Sequence, residues 1–369
     1  MIALSTDTDT PSAALTITTS DYHTAGEPFR IVHGDAPVPQ GTTVAERRVA
    51  AQHNAADADR IRQFLCQEPR GHADMYGGFI VPANDSGAHF GVLFWHKDGF
   101  STACGHGTIA LGVWATDTGL VASDPNGVTE VRIDVPSGRV AAFVERRNGT
   151  LVRATFRNVP SHVIARGIPV ATSRGDVRAD LSFSGAIYAS VRAADLGLSV
   201  SPAHYTELIA AGREIKAALT HTAAAQHATD SRLSGVYGTI LWEDLGAGHA
   251  PADPVRSRQR NVTVFADGEV DRSPCGSGTG ARVALLAADG TLPHGATLEH
   301  RSIVDTVFHA RWEPATTTIS PSSSSSPASS SSSSSSPIIP EVTGTAFHTG
   351  EHQFVLDPND PVGLGFVLR

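Results

Sequence analysis

The chain contains 369 residues, of which 40% are hydrophobic and 18% are charged, and its formal net charge at pH 7 is −9. This length and composition are typical of a globular protein with two domains of ordinary size. The acidic balance and the scattered Lys and Arg residues argue against a nucleic-acid-binding protein, and no run of about 18 apolar residues predicts a membrane span. We therefore expect neither nucleic acid nor a membrane among its partners.

The first residues and the cysteines bear on the compartment. Residues 1–19 are polar and rich in Thr, without the basic start and apolar core of a secretory signal. We predict that they form a disordered tail. Three cysteines, Cys66, Cys104 and Cys275, do not make a disulfide framework. Reduced thiols are typical of a cytoplasmic enzyme, so we expect a cytoplasmic location.

Residues 20–157, the first half, predict a mixed α/β unit. Residues 21–32 predict a loop that leads into a strand, in which His23 and Glu27 either form a hydrogen-bonded pair or lie in a pocket wall. A helical pattern follows over residues 43–64. The other predicted strands, bounded by turn signals such as Asp-Gly and Asn-Gly, lie at residues 79–82, 91–96, 131–135, 140–144 and 151–156.

Residues 158–344, the second half, repeat this pattern. A helix is predicted over residues 201–218, with strands at 178–183, 186–191, 235–241 and 260–265. Residues 316–340 contain two Ser runs broken by prolines and cannot bury a core, so they predict a disordered surface insertion. The chain then ends in a strand at residues 353–356, and we assign residues from about 345 to 369 to the first half.

One motif occurs once in each half. The pattern Cys-Gly-x-Gly-Thr-x-Ala spans residues 104–110 and returns at residues 275–281. An apolar run that predicts a helix follows each copy, so each Cys is expected at a helix N-terminus. The free amides and the positive dipole end of a helix favour an anion there and lower the pKa of a thiol.

This duplication suggests a chemistry. Two thiols that face one small substrate from opposite sides can invert a carbon, because one removes a proton and the other returns a proton to the opposite face. The glycines leave backbone amides uncovered for a carboxylate. The alternative is that the cysteines are buried apolar fillers, which the matching contexts disfavour for Cys104 and Cys275 but which we prefer for Cys66.

Four ordered motifs resemble the proline racemase family, which also contains hydroxyproline 2-epimerases and trans-3-hydroxyproline dehydratases. They lie at residues 21–28, 68–72, 104–107 and 271–278. The resemblance covers roughly residues 20–315 and 341–369. It implies an α+β fold similar to that of diaminopimelate epimerase, with two pseudo-symmetric domains, each a curved sheet around a central helix, and the site between them.

The resemblance also implies roles for site residues. Cys104 and Cys275 would be the acid and base, and Asp271 would hold the substrate ammonium. The carboxylate would be held by His106 together with the backbone amides of Gly105, Gly276 and Ser277. Asp271 could instead be only a helix cap, and His106 only a hydrogen-bonding loop residue. No cofactor and no metal is implied, so preorganised donors in a dry cleft would stabilise the carbanion.

The resemblance leaves the reaction open. Two cysteines favour a proline racemase or hydroxyproline 2-epimerase, because a dehydratase needs one base at Cα and often lacks the second Cys. The residues around the first Cys, 94–102 and 109–111, look nearer to the dehydratase branch. A non-enzymatic proline-binding protein is a third hypothesis. A homodimer, which is common among such enzymes, also stays open.

Overall fold

The computed structural model describes residues 15–34, 36–53, 56–247, 255–315 and 336–368. The first part of the chain forms, in order, β1 (Leu15–Thr24), β2 (Glu27–Val32), α1 (Val44–His53), α2 (Ala56–Cys66), β3 (Tyr76–Val81), β4 (Phe90–His96), β5 (Gly99–Phe100), α3 (Gly105–Asp117), β6 (Val128–Val135), β7 (Gly138–Arg147) and β8 (Thr150–Arg157). The remainder forms β9 (His162–Thr172), β10 (Gly175–Phe183), β11 (Ile187–Arg192), α4 (Tyr205–Thr220), β12 (Val236–Gly246), β13 (Val255–Phe265), β14 (Glu269–Asp271), α5 (Gly276–Ala288), β15 (Thr297–Arg301), β16 (Val307–Pro314), β17 (Ile338–Gly344) and β18 (Ala346–Leu356).

The strand order repeats between the halves. The first sheet runs β18-β1-β2-β3-β4-β6-β7-β8, and its parallel pairs are β2 with β3 and β4 with β6. The second sheet runs β9-β10-β11-β12-β13-β15-β16-β17, with parallel pairs at the same two places, β11 with β12 and β13 with β15. β8 and β17 pair antiparallel and join the sheets. The predicted fold of two pseudo-symmetric α/β halves is confirmed.

Each sheet wraps around one central helix. α3 is buried along nearly its whole length and contacts β7, β8 and β1, whereas α5 contacts β17, β16 and β9. A helix that is apolar on all sides belongs in a core rather than on a surface. α4, by contrast, buries a single face. Among the described residues, no helix is both long and apolar enough to cross a membrane.

Two of the predicted segment limits are wrong. The disordered tail was expected to reach residue 19 and a loop to start at Asp21, but β1 begins at Leu15 and pairs with both β18 and β2. Thr is favourable in strands, and neighbours on both sides satisfy the backbone of β1. The Ser-rich insertion was expected to reach residue 340, yet β17 begins at Ile338. Residues 1–14 and 316–335 of these predictions lie outside the described residues.

The domain boundaries remain a proposal. β8 ends at Arg157, and β17 ends at Gly344, immediately before β18 crosses back to pair with β1. Each of these two strands is the last strand in the sheet of its half. We therefore propose residues 158 and 344 as the limits of the second half.

Candidate active site

The N-termini of α3 and α5 meet at the centre of the molecule. A Cβ built on Gly105 would lie 2.6 Å from the Cα of Gly276, and one built on Gly276 would lie 2.5 Å from the Cα of Gly105. Any side chain at either position would push the two helices apart. The glycines of the repeated motif therefore allow a contact between the two helix ends.

Both predicted thiols cap these helices. Cys104 is the N-cap of α3 and its Sγ accepts the Gly107 N–H at 3.3 Å, while Cys275 caps α5 and accepts the Gly278 N–H at 3.3 Å. Their exposed fractions are 6% and 7%. The prediction that each Cys lies at a helix N-terminus is confirmed, and the two sites face each other from opposite halves.

The backbone of Cys275 is strained, whereas Cys104 is extended. Cys275 has φ 63° and ψ 110°, a region that costs a non-glycine residue about 1–3 kcal/mol. The preceding loop compensates: Asp271 Oδ1 accepts the N–H and the hydroxyl of Ser273, and Ser273 Oγ accepts the Cys275 N–H at 3.1 Å. Asp271 and Cys275 are thus held by one hydrogen-bonded loop.

Most of the predicted site residues line one buried cavity. Six of the seven line it, namely Cys104, Gly105, His106, Asp271, Cys275 and Ser277. Gly276 contacts Gly105 behind them. The cavity volume is about 20 Å³, which is room for about one water molecule, so a five-membered ring enters only if the walls separate.

Burial governs the protonation of the thiols. It raises the pKa of Cys104 well above the ordinary thiol value, against the opposing effect of the Gly107 N–H. Burial likewise raises the pKa of Cys275, and the charge of Asp271 raises it further. The helix N-termini were expected to lower the thiol pKa, and this expectation is wrong. The net shift is upward, because desolvation of a thiolate outweighs the favourable backbone amides.

His106 and Asp271 lie beside the thiols. His106 Nδ1 is 3.7 Å from Asp271 Oδ2 and 3.5 Å from Cys104 Sγ, and both residues are buried. The alternative that Asp271 caps the second helix is wrong, because Cys275 is the cap. His106 lies in the first turn of α3 rather than in a loop. Ser277 Oγ is buried and has no hydrogen-bond partner among the described residues, so it is available to a ligand.

Sequence reasoning missed an aromatic wall. Tyr76 from the first half and Tyr188, Tyr237 and Phe265 from the second line the same cavity. The Tyr76 hydroxyl bonds the Tyr237 hydroxyl at 3.0 Å and also contacts Ser101 Oγ. Burial raises the pKa of all three tyrosines well above the usual phenol value, so each is a neutral phenol. Aromatic residues on strands look like ordinary core residues, and for this reason the sequence carried no signal for them.

A larger cavity adjoins this wall. Its volume is about 410 Å³, and it shares Tyr237 with the cavity that holds the two thiols. Residues of both halves line it, among them Arg48, Ser101 and Lys216. A cavity bounded by both halves would change shape if the halves moved apart.

Both alternatives for His23 and Glu27 are wrong. His23 Nδ1 accepts the Gly26 N–H at 3.2 Å, and Glu27 Oε2 accepts the Arg272 N–H at 2.6 Å. Neither residue lines the cavity that holds the two thiols. Asp74, also from the first half, contacts the same Arg272.

Comparison with known proteins shows matches along nearly the whole chain. The proline racemase family model matches residues 19–367. The chain is 39% identical over 356 residues to a trans-3-hydroxy-L-proline dehydratase of Colwellia psychrerythraea, covering 96% of this chain and 93% of that protein. It is 41% identical over 354 residues to a 3-hydroxyproline 2-epimerase of Burkholderia multivorans, covering 96% and 98%.

Solved structures agree with these matches. A hydroxyproline epimerase from Agrobacterium vitis, with bound trans-4-hydroxy-L-proline, superposes with a TM-score of 0.82 at 29% identity, covering 96% of this chain and 95% of that one. A phenazine biosynthesis protein of the PhzF family from Bacillus anthracis shares the fold alone, with a TM-score of 0.53 at 11% identity, covering 92% and 99%. On these matches and the shared architecture, the chain belongs to the proline racemase family of enzymes.

Proposed function

We propose that the chain is a hydroxyproline 2-epimerase that inverts Cα with Cys104 and Cys275 as its acid–base pair. The observation that carries the proposal is the pairing of two buried thiols, each capping a helix from a different half, at one cavity. One thiolate would take the Cα proton from one face. The other thiol would give its proton to the opposite face, which leaves the inverted isomer and the reversed protonation state.

Substrate binding would offset the high thiol pKa values. The charge of Asp271 is among the causes that raise the pKa of both thiols. A substrate ammonium at Asp271 would neutralise that charge and favour the thiolate. His106, the unpartnered hydroxyl of Ser277 and the amides of Gly105, Gly276 and Ser277 would hold the carboxylate at the two helix N-termini, where anions are favoured.

The ring substituent is the finer part of the proposal. The polar edge of the aromatic wall, formed by the hydroxyls of Tyr76, Tyr237 and Ser101, favours a hydroxylated ring over plain proline. Relatives at 39–41% identity are named for 3-hydroxyproline. We therefore propose trans-3-hydroxy-L-proline as the first substrate to test, with trans-4-hydroxy-L-proline and L-proline after it.

A second candidate is dehydration of trans-3-hydroxy-L-proline. The neutral phenols of Tyr76 and Tyr237 favour it, because one of them could protonate a leaving 3-hydroxyl. Cys104 would take the Cα proton, the C3–O bond would break, and water would leave as the double bond forms between C2 and C3. The enamine would then tautomerise to a cyclic imine, and the proton that Cys104 took from Cα would pass to the phenolate, which restores the starting thiolate and phenol.

Product analysis separates these candidates. Proton NMR in deuterium oxide with the three substrates, using wild type, Cys275→Ser and the control Cys66→Ser, follows both Cα exchange and product. We expect the inverted isomer from wild type and from Cys66→Ser, and at least about 10³-fold less from Cys275→Ser, since the paired groups act as a unit. A cyclic imine formed equally well by Cys275→Ser would replace the epimerase with the dehydratase, and no exchange at all would leave a binding protein.

The thiols also bear on where the protein works. We propose a cytoplasmic location, which three buried, unpaired thiols support because reduced cysteines are typical of the cytoplasm, and separately we propose a homodimer. Sedimentation of the purified protein tests the dimer, and fractionation of the source cells tests the location.

A further inference from the structure

The loop that carries Asp271 and Cys275 belongs to the second half, yet carboxylates of the first half hold it. Glu27 Oε2 accepts the Arg272 N–H at 2.6 Å. Asp74 Oδ1 accepts the Val270 N–H at 3.0 Å, and Asp74 Oδ2 pairs with Arg272 Nη2 at 2.7 Å. The backbone N–H groups of the residues on either side of Asp271, Val270 and Arg272, are therefore both held by the opposite half.

Three buried carboxylates lie around this loop. Glu27, Asp74 and Asp271 have exposed fractions of 0%, 4% and 2%. Arg272 pairs with this group through Asp74 and through its own N–H to Glu27, and His106 Nδ1 lies 3.7 Å from Asp271 Oδ2. Three carboxylates that are buried this close together would repel one another if all were ionised, which is costly in a site of low dielectric.

Glu27 is the member of the group that is least compatible with a charge. Its Oε1 is buried and has no hydrogen-bond partner among the described residues. Burial raises the pKa of Glu27 well above the ordinary carboxyl value, and the charges of Asp271 and Asp74 act in the same direction against that of Arg272. Cys104 lies near enough for the charge of Glu27 to raise its pKa as well.

We propose that Glu27 is a positioning residue that holds the Asp271 loop from the opposite half as a neutral carboxylic acid. Its carbonyl oxygen accepts the Arg272 N–H, and its proton removes one negative charge from beside the site. Asp271 is then the carboxylate left to meet the substrate ammonium. This inference rests on the proposed function for the role of Asp271, but not for the protonation of Glu27.

The proposal fixes the direction of a pH effect. The bound proton stabilises the closed, folded arrangement fully below the ordinary carboxyl pKa of about 4.3, and this stabilisation is lost as the pH rises through the raised pKa of folded Glu27. Ionised Glu27 would repel Asp271 and loosen the loop. Substrate binding should weaken in the same window, so that KM rises before kcat falls.

The test compares Glu27→Gln, a neutral isostere that can still accept the Arg272 N–H, with Glu27→Ala and with the exposed control Glu130→Gln. Rates of Cα exchange in deuterium oxide give kcat and KM against pH for each protein. We expect Glu27→Ala to raise KM by roughly 10-fold or more, as for a lost buried hydrogen bond, and Glu27→Gln to restore most of that loss. Both Glu27 variants should lack the alkaline rise in KM that wild type and Glu130→Gln share.

Two results would overturn the proposal. One is that Glu27→Gln is as impaired as Glu27→Ala, which would mean that the charge is needed. The other is that Glu27→Gln keeps the wild-type pH profile, which would mean that Glu27 does not titrate there.

A measurement without substrate separates this proposal from the proposed function. The thermal unfolding midpoint of wild type should fall relative to that of Glu27→Gln as the pH rises through the window of the raised pKa. Parallel midpoints would contradict a neutral Glu27. If wild type exchanges none of the three substrates, the proposed function fails, while the midpoints still decide the state of Glu27.

Discussion

At the scale of single residues, the site depends on polar groups that the fold leaves without partners. Ser277 Oγ lines the cavity and bonds to none of the described residues, whereas Ser273 Oγ both donates to Asp271 and accepts from Cys275. The two serines are four residues apart and equally buried. Variants of these two serines therefore distinguish a role in ligand binding, expected for Ser277, from a structural role, expected for Ser273.

Ser277→Ala should raise KM without lowering stability. Removing a buried hydroxyl that has no partner leaves the free energy of unfolding unchanged or slightly higher, but a lost hydrogen bond to the substrate carboxylate raises KM by about 10-fold. Steady-state kinetics and thermal unfolding measure both quantities. Ser273→Ala is the matched control and should lose about 1–3 kcal/mol of stability, because it leaves buried partners unpaired. An unchanged KM in Ser277→Ala would remove Ser277 from the site.

Sequence reasoning at this scale identified the thiols but not their energetics. The duplicated motif was sufficient to predict that Cys104 and Cys275 cap two helices, because glycine content and the following apolar run are local signals. The direction of the thiol pKa depends on desolvation by both halves at once. No local sequence pattern reports how much the two halves together desolvate a thiol. Glu27 illustrates the same limit, since its partner Arg272 lies in the other half.

At the scale of elements, the contact between α3 and α5 sets the geometry of the site. The helices touch through Gly105 and Gly276, so the positions of both thiols depend on the absence of a side chain at either glycine. Alanine is ordinarily favoured over glycine in a helix by up to about 1 kcal/mol. A loss of stability or activity when either glycine is replaced by alanine would therefore arise from the clash of the added Cβ with the other helix.

Gly276→Ala should damage catalysis more than stability. The added Cβ would meet the Gly105 backbone at 2.5 Å, and overpacking of this kind costs about 1–3 kcal/mol. A shift of about 1 Å between the helix ends should lower kcat/KM by roughly 100-fold. In the last turn of the same helix, Ala287→Gly should cost up to about 1 kcal/mol and leave kcat unchanged. A Gly276→Ala enzyme within a few-fold of wild type would contradict the role of this contact.

The elements that sequence reasoning placed well are those with local signals. Turn signals and alternating apolar residues were enough for β6, β7 and β8. β1 was missed, and its residues were assigned to a disordered tail and a loop, because its partner β18 comes at residues 346–356, at the far end of the chain. The polar residues Thr16, Thr18 and Thr19 favour a strand only once both neighbouring strands are present.

At the scale of the whole molecule, the repeated strand order places one helix and one thiol in each half. A duplicated α/β unit thus brings two equivalent N-caps to one cavity, which is what inversion at a single carbon requires. The interface between the halves also carries the Glu27 and Asp74 contacts to the Asp271 loop. The loop that carries Asp271 is therefore held by both halves.

The measurement that tests the two-thiol account most directly is the position of the isotope at low conversion in deuterium oxide. With the epimerised substrate, we expect product that carries deuterium at Cα and remaining substrate that does not. Cys104 and Cys275 are separate acids on opposite halves, so the proton removed by one returns only to its own face, while the other delivers solvent deuterium. Remaining substrate that gains deuterium as fast as the product would show that a single base serves both faces, and would contradict the account.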